Sequence, residues 1–302
     1  MLFAKKLGGS GGADVSGVTA TAGDVDEGKI FVDSSGQEVT GTSTAKTDLQ
    51  NLNTEVKGLI DKTGTSFTIP EGTTSIGVYA FFNNTALTNV DIPDSVTSIG
   101  NYAFQSCSNL ASAELPNGIT SIGERAFQSC SKLALTSLPS GLTSIGDGTF
   151  NGCSKLTLTS LPSGITSIGG SAFSSCTNLA LTELPSGLTN IRGYTFSGCS
   201  KLALTSLPSG LTNIGMQAFV SCSKLTLTSL PSGITSIDSN AFSNCAGLTT
   251  ITFGGTPTQI KSTAFNGCTN LTTIYVPWSE GEVAGSPWGA VNATIIYDHT
   301  PT

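Results

Sequence analysis

The chain is 302 residues long, with 11% charged residues and a formal net charge of −7, and its pI is about 4.6. So sparse and acidic a charge set gives a phosphate backbone or an anionic bilayer surface little to hold, and nucleic acid is excluded as an expected partner. No window carries the apolar run of about 18 or more residues that a membrane helix needs, so a soluble chain without membrane insertion is expected.

The opening residues, MLFAKKLGGSGGA, place two lysines after four residues and then glycines. That leaves no room for the apolar segment of about 7–15 residues in a secretory signal, so export by that route is not expected. Residues 1–45 are rich in Gly, Ser, Thr, Val and Asp, with one clear local signal in GKIFVDSSGQEVTG: two short alternating runs flank Asp33-Ser34-Ser35-Gly36 and predict a β-hairpin. A segment of this composition buries little by itself, so it is expected to act as a small β-rich attachment module that leans on a partner or on its own copies.

Residues 46–63 change the period. Leu49, Leu52, Val56 and Leu59 are spaced 3-4-3, two turns of an a/d seam, which predicts an amphipathic helix. Thr47 or Asp48 would cap its start and Gly64 end it. Two uses stay open: a lid over the first coil of the array that follows, or a short coiled coil joining chains as a homotrimer.

From residue 64 to 277 the landmarks return every 23 residues. Phenylalanine stands at 81, 104, 127, 150, 173, 196, 219, 242 and 265; isoleucine comes five residues earlier, leucine six later, and an apolar residue, usually followed by proline, eleven later. One such unit cannot bury its own apolar face, whereas stacked units bury it against each other, so the period predicts a solenoid of about ten coils. The expected fold is parallel β strands stacked in register, with turn or 3₁₀ return segments. In LTNVDIP (87–93), Leu87, Val90 and Ile92 face inwards and Pro93 ends the pairing. The middle coils change phase, KLALTSLPSG putting Thr136 where Val90 stood, which predicts a shorter or bulged strand there. The stretch from Ile99 to Cys107 is expected to form the opposite wall, Gly100 easing the turn and Ala103 admitting the phenylalanine ring.

All eight cysteines lie three residues after a repeat phenylalanine. Equivalent Cβ atoms one coil apart would sit about 4.8 Å apart and point the same way, which does not suit a disulfide. Zinc would need paired ligands two to four residues apart, and none occur. Buried free thiols are expected, with no cofactor and no metal.

Residues 278–302 lose the period but keep Trp278, Val283, Trp288, Val291, Ile295, Ile296 and Tyr297, enough to form a C-terminal cap. Trp278 and Trp288 either cap the last coil or offer stacking platforms to a sugar.

The residues give no support to catalysis. The single histidine, His299, lies in a polar tail and is expected to be solvated. Neither a nucleophile elbow nor a zinc-protease, P-loop or dinucleotide motif occurs. Glu114 and Glu183 occupy equivalent positions three coils apart, roughly 14 Å, too far to act on one glycosidic bond. The middle coils are near copies, so any surface they make is repeated rather than singular. That surface is a row of outward strand positions: Asp91, Glu114, Ser137, Ser160, Glu183, Ser206, Ser229, Thr252 and Tyr275. Small, polar and weakly charged, it suits repeated hydrogen bonding to a glycan or protein, or simply keeps a spacer in solution; Trp278 and Trp288 extend it at the far end.

The pattern LxxVxIPxxVxxIGxxAFxxC resembles the leucine-rich repeats of bacterial BspA-type proteins, over roughly 70% of the chain. The resemblance implies a stack with its strands on one face and a role in binding or adhesion. ATAGDVDEGKIFVDSSGQEVTGT resembles a short module of phage and prophage tail-fibre and minor structural proteins, and YVPWSEGEVAGSPWGAVNATIIY resembles a closing segment from the same setting. Those two resemblances imply a virion tail component assembled in the bacterial cytoplasm, attached to other tail proteins through residues 1–45 and recognising a bacterial surface glycan or protein. The BspA-type resemblance alone implies a cell-surface adhesin.

Overall fold

The structure is a computed structural model that describes residues 64–300. The expected hairpin in 1–45 and helix in 46–63 lie outside the described residues. Within them the chain winds into a parallel β-solenoid whose strands pair with strands 23 residues away: Ser66 opposite Asn89, Ser75 opposite Ser98, Ser236 opposite Gln259. Among the described residues no helix is long and apolar enough to cross a membrane.

Each coil has three walls. The first carries the expected strand, seen at Ser66–Thr68, Asn89–Asp91 and Ser112–Ala113, and again at Ser229–Leu230, Thr250–Phe253 and Thr273–Tyr275. Between those groups, from Leu133 to Leu207, the strand is absent rather than short, and a bend falls at Thr136, Thr159, Thr182 and Thr205. The cause is the phase change. Leu135 and Leu138 both turn inwards, at 8% and 9% exposure, so the residues between them cannot alternate as a strand requires. What remains of the ladder is a single rung per coil, such as Thr157 N–H to Leu135 C=O at 3.1 Å.

The second wall adds a strand to the expected turn or 3₁₀ return. It opens with a two-residue parallel strand in every coil, from Ser75–Ile76 through Ser144–Ile145 to Gln259–Ile260. Ser, Asn or Gln faces out and Ile faces in, with Ile76, Ile99, Ile145, Ile168, Ile191, Ile214 and Ile237 all buried. Isoleucine is a strand former, and the Thr before each pair lends its hydroxyl to the ladder: Thr97, Thr212, Thr235 and Thr258 donate to the carbonyl of the Thr one coil back at 2.9–3.1 Å.

The third wall is the return segment around the phenylalanine, built of turns. Three amides of each coil from Phe81 to Phe219 donate forward to the next: Tyr79 to Asn101 at 3.1 Å, Phe81 to Ala103 at 2.7 Å and Asn83 to Gln105 at 2.7 Å, with the same rungs repeated up the array. Such spacing needs left-handed residues on both sides of the phenylalanine. Two positions earlier φ is 59° at Tyr79, 58° at Tyr102, 52° at Arg125 and 61° at Gly148; two positions later it is 61° at Ser106 and Ser129 and 77° at Gly152. Glycine adopts this region freely and small polar residues at modest cost, which is why Ser, Asn and Gly fill the second set.

Inside, the nine phenylalanines from Phe81 to Phe265 form one continuous stack, neighbouring centroids 4.8–5.7 Å apart and planes within 2–12°. Phe67 closes its start edge-on at 5.3 Å from Phe81. Beside the stack runs the cysteine column, every side chain buried and none in a disulfide, as expected. The backbone carbonyl of each phenylalanine from Phe81 to Phe242 accepts from two directions. Phe104 C=O takes the amide of Cys107 at 3.1 Å and the thiol of Cys130, one coil on, at 3.0 Å. Both lone pairs are used, so the carbonyl is satisfied without water. The first coil has Asn84 in the cysteine place, where its side-chain oxygen accepts the amides of Ala86 and Leu87 at 3.2 Å.

The C-terminal segment does more than cover the last coil. Thr294–Ile296 adds a parallel strand to Thr273–Tyr275, in a register of 21 residues instead of 23. Trp288 stands one period after Phe265, fully buried, and its carbonyl takes the Phe265 amide at 2.9 Å. The Trp288 carbonyl thus takes the rung that Ala264 supplies to Phe242 one coil earlier, while its ring packs on Phe253 and Trp278. Val291, at 84% exposure, and Ile296, at 39%, do not belong to the covering set.

Candidate binding surface

The outward strand row is where the alternation puts it. Asp91, Glu114, Ser137, Ser160, Glu183, Ser206 and Ser229 are exposed, Thr252 and Tyr275 half-buried. Because consecutive strands are parallel and in register, these side chains stand in one line along the array, about 4.8 Å apart where the strand ladder is formed. Glu114 and Glu183 remain three coils apart, so the row brings no two carboxylates together.

The second wall supplies a row that the sequence reading missed. Ser75, Ser98, Ser121, Ser144, Ser167, Asn190, Asn213, Ser236 and Gln259 face outwards from the isoleucine strands. A shallow concavity lies on this row, lined by Thr166, Ser167, Thr189, Asn190, Arg192 and Asn213. Arg192 reaches Asp147 at 4.0 Å, both side chains more than half exposed, so the pair contributes little to stability and leaves the guanidinium available to a ligand. The signal was present: Thr-Ser/Asn-Ile recurs with the polar-apolar alternation of a strand, but two residues are too few for a periodicity argument to separate from a turn.

Trp278 and Trp288 do not present ring faces to solvent. At 2% and 0% exposure they pack edge to face, 6.2 Å apart, with Phe253 against both at 5.1 and 6.1 Å. The Trp288 indole N–H donates to Ala284 C=O at 2.9 Å. They hold the cap together. His299 is not fully solvated as expected: it is half-buried, its ring 4.6 Å from that of Tyr275 and its amide donating to Val276 C=O at 3.0 Å.

The cysteines are chemically quiet. Burial, and after it the neighbouring thiols one coil away, push Cys130, Cys153, Cys176, Cys199 and Cys245 well above the ordinary thiol range. Burial alone raises Cys222 to about 12 and Cys268, nearer the end, to about 11. A thiol of this kind offers no thiolate for nucleophilic or redox chemistry near neutrality. Among the described residues no group of three or more His, Cys, Asp or Glu side chains converges as metal ligands would.

The family described as "BspA type Leucine rich repeat region (6 copies)" matches residues 61–180 and again 143–272. Among solved structures, a leucine-rich repeat protein of T. pallidum, TpLRR, is 33% identical over 54% of this chain and 78% of its own, with a TM-score of 0.49. One from Bacteroides ovatus is 24% identical over 77% of this chain and 83% of its own, TM-score 0.34. The pneumococcal vaccine antigen PcpA is 21% identical over 70% of this chain and 62% of its own, TM-score 0.47. No curated protein matches the chain. The matched residues take in the phenylalanine stack, the cysteine column and both strand ladders, and the chain belongs to the BspA-type leucine-rich repeat family.

Proposed function

We propose that the solenoid is a non-enzymatic adhesion module that recognises a glycan or protein on a bacterial surface. The observation that supports this reading is the pair of outward polar rows, each repeating one small hydroxyl, amide or carboxylate side chain per coil on a rigid, hydrogen-bonded stack. Each contact would contribute only about 0.5–1.5 kcal/mol. An extended ligand spanning several coils sums them without ordering the protein further, because the rows are already fixed. The particle that carries the module is, on the resemblance of residues 1–45 and of the closing segment, a phage or prophage tail, with residues 1–45 attaching it and the array projecting outwards. A BspA-type cell-surface adhesin would use the same rows. Glycan-array and bacterial-cell binding by the full chain tests the module: binding should appear and should drop when Ser160, Glu183 and Ser206 are replaced together by arginine, at an unchanged melting temperature. A full chain that binds no glycan and no cell is a spacer. Immunogold imaging of virions and cells separates the two carriers.

A further inference from the structure

One repeat position carries most of the array's positive charge. Of the seven lysines and arginines between residues 64 and 300, four stand two residues after a column cysteine: Lys132, Lys155, Lys201 and Lys224. All four are exposed, and their ammonium groups meet no hydrogen-bond or ion-pair partner among the described residues. From residue 130 to 230, these lysines and Arg192 stand against only two carboxylates, Asp147 and Glu183, in a chain of net charge −7. Asp147 is already engaged, by the Gly170 amide at 2.7 Å and by Arg192 at 4.0 Å. The coils that carry a lysine have serine in the outward strand row, whereas Glu114 and Glu183 belong to coils with asparagine in the lysine place. The middle of the solenoid is therefore a basic band that the chain-wide average conceals.

The fold does not require these lysines. In the same place Asn109, Asn178 and Asn270 turn back and donate to the carbonyls of Thr85, Ser154 and Ala246 in the preceding coil, at 2.7–2.8 Å. In the lysine coils the equivalent carbonyl takes a hydroxyl instead, from Ser131, Ser154, Ser200 or Ser223, at 3.1–3.3 Å. Those bonds hold neighbouring coils in register, so Lys132 and Lys155, and again Lys201 and Lys224, are rooted about 4.8 Å apart. Like charges so placed repel, and an anion brought to each relieves the repulsion. No large apolar side chain is exposed at this repeat position among the described residues, so the row lacks the apolar centre of a protein interface. Its spacing is close to the advance of one sugar ring in an extended polysaccharide. We propose that the lysine row is a second binding edge of the solenoid, separate from the two polar rows, and that it holds a linear acidic polysaccharide with one carboxylate on each ring, lying along the axis.

Binding of the full chain to polygalacturonate, and to its methyl ester with the same backbone and no charge, tests the proposal. The acid should bind, more weakly as salt rises, and the ester should not. No binding of the acid, or equal binding of the two, would overturn the proposal; so would tighter binding of duplex DNA, which would make the row a phosphate reader. Lys201→Gln with Lys224→Gln should weaken the binding about fivefold at an unchanged melting temperature. Arg125→Gln with Lys261→Gln changes the net charge equally but away from the row, and should leave the binding as it was; equal losses from the two pairs would overturn the proposal. The triple arginine replacement at Ser160, Glu183 and Ser206 separates this edge from the adhesion reading above. It should not weaken polygalacturonate binding, and a loss there would place the polymer on the strand row and overturn the proposal.

Discussion

Phe173 lies between Phe150 and Phe196 at 5.6 and 5.7 Å, with no surface in contact with water. Burial of such a ring is worth on the order of 1.5–3 kcal/mol, and its removal also leaves a cavity that stacked neighbours cannot collapse into. Phe173→Ala should therefore cost roughly 3–5 kcal/mol in denaturant melts. Phe265→Ala should cost less, because Phe265 has one stacked ring where Phe173 has two; equal losses would show that the stack contributes no more than area. The cysteines make a second residue-scale statement. Their raised pKa means the folded state favours the neutral thiol, so the stabilisation is complete below the ordinary value of 9.0 and is lost as pH climbs towards about 12 at Cys222. The melting temperature should hold steady from neutrality to about pH 8 and fall steeply beyond about pH 9. Thiol titration should find almost no reactive group in the native protein and eight after denaturation.

Glycines that close one coil onto the next differ sharply in what they tolerate. A Cβ on Gly169 would lie 2.4 Å from the Asp147 amide and 2.5 Å from its carboxylate oxygen, whereas one on Gly164 would meet only the Leu142 carbonyl at 3.6 Å. Gly169→Ala should cost about 1–3 kcal/mol and Gly164→Ala close to nothing, readable as a difference in denaturant midpoint. The reason is local: Asp147 turns its carboxylate back to accept the Gly170 amide at 2.7 Å, filling the space a methyl would need. At this scale the sequence was legible wherever one residue type recurs. The Phe, Ile, Leu and Cys columns, the coil length and the outward row could all be counted in advance. The isoleucine strands could not, since a two-residue strand has no period of its own. The missing strand from Leu133 to Leu207 was read only as far as a weakening. Thr136 signalled the phase change, but whether a bulge or a bend would result depends on Leu135 and Leu138 both reaching the core. Trp288 was legible as a capping residue; that its carbonyl takes the Phe265 amide was not, because the chain before it, Trp278 to Pro287, departs from the consensus.

For the whole molecule, the interior coils interact only with their neighbours and present nearly the same surfaces upwards and downwards. Stability is then close to a sum over coils and the contacts between them, with the two ends as separate terms. Removing Leu156–Asn178, one full period, leaves Lys155 followed by Leu179 where it had been followed by Leu156. The shortened chain should fold, melt cooperatively and be about 4.8 Å shorter along its axis by small-angle scattering. A deletion of 20 residues at the same place leaves the count three residues out, so that beyond it phenylalanine falls in the cysteine place, and should yield no folded protein. The constant 23-residue unit thus has a meaning at the level of the gene. It is a whole number of codons, and neighbouring units are near copies, so unequal recombination between them adds or removes complete coils without disturbing either terminus. Length along the axis becomes heritable, adjustable in fixed steps between generations while the outward polar rows keep their chemistry.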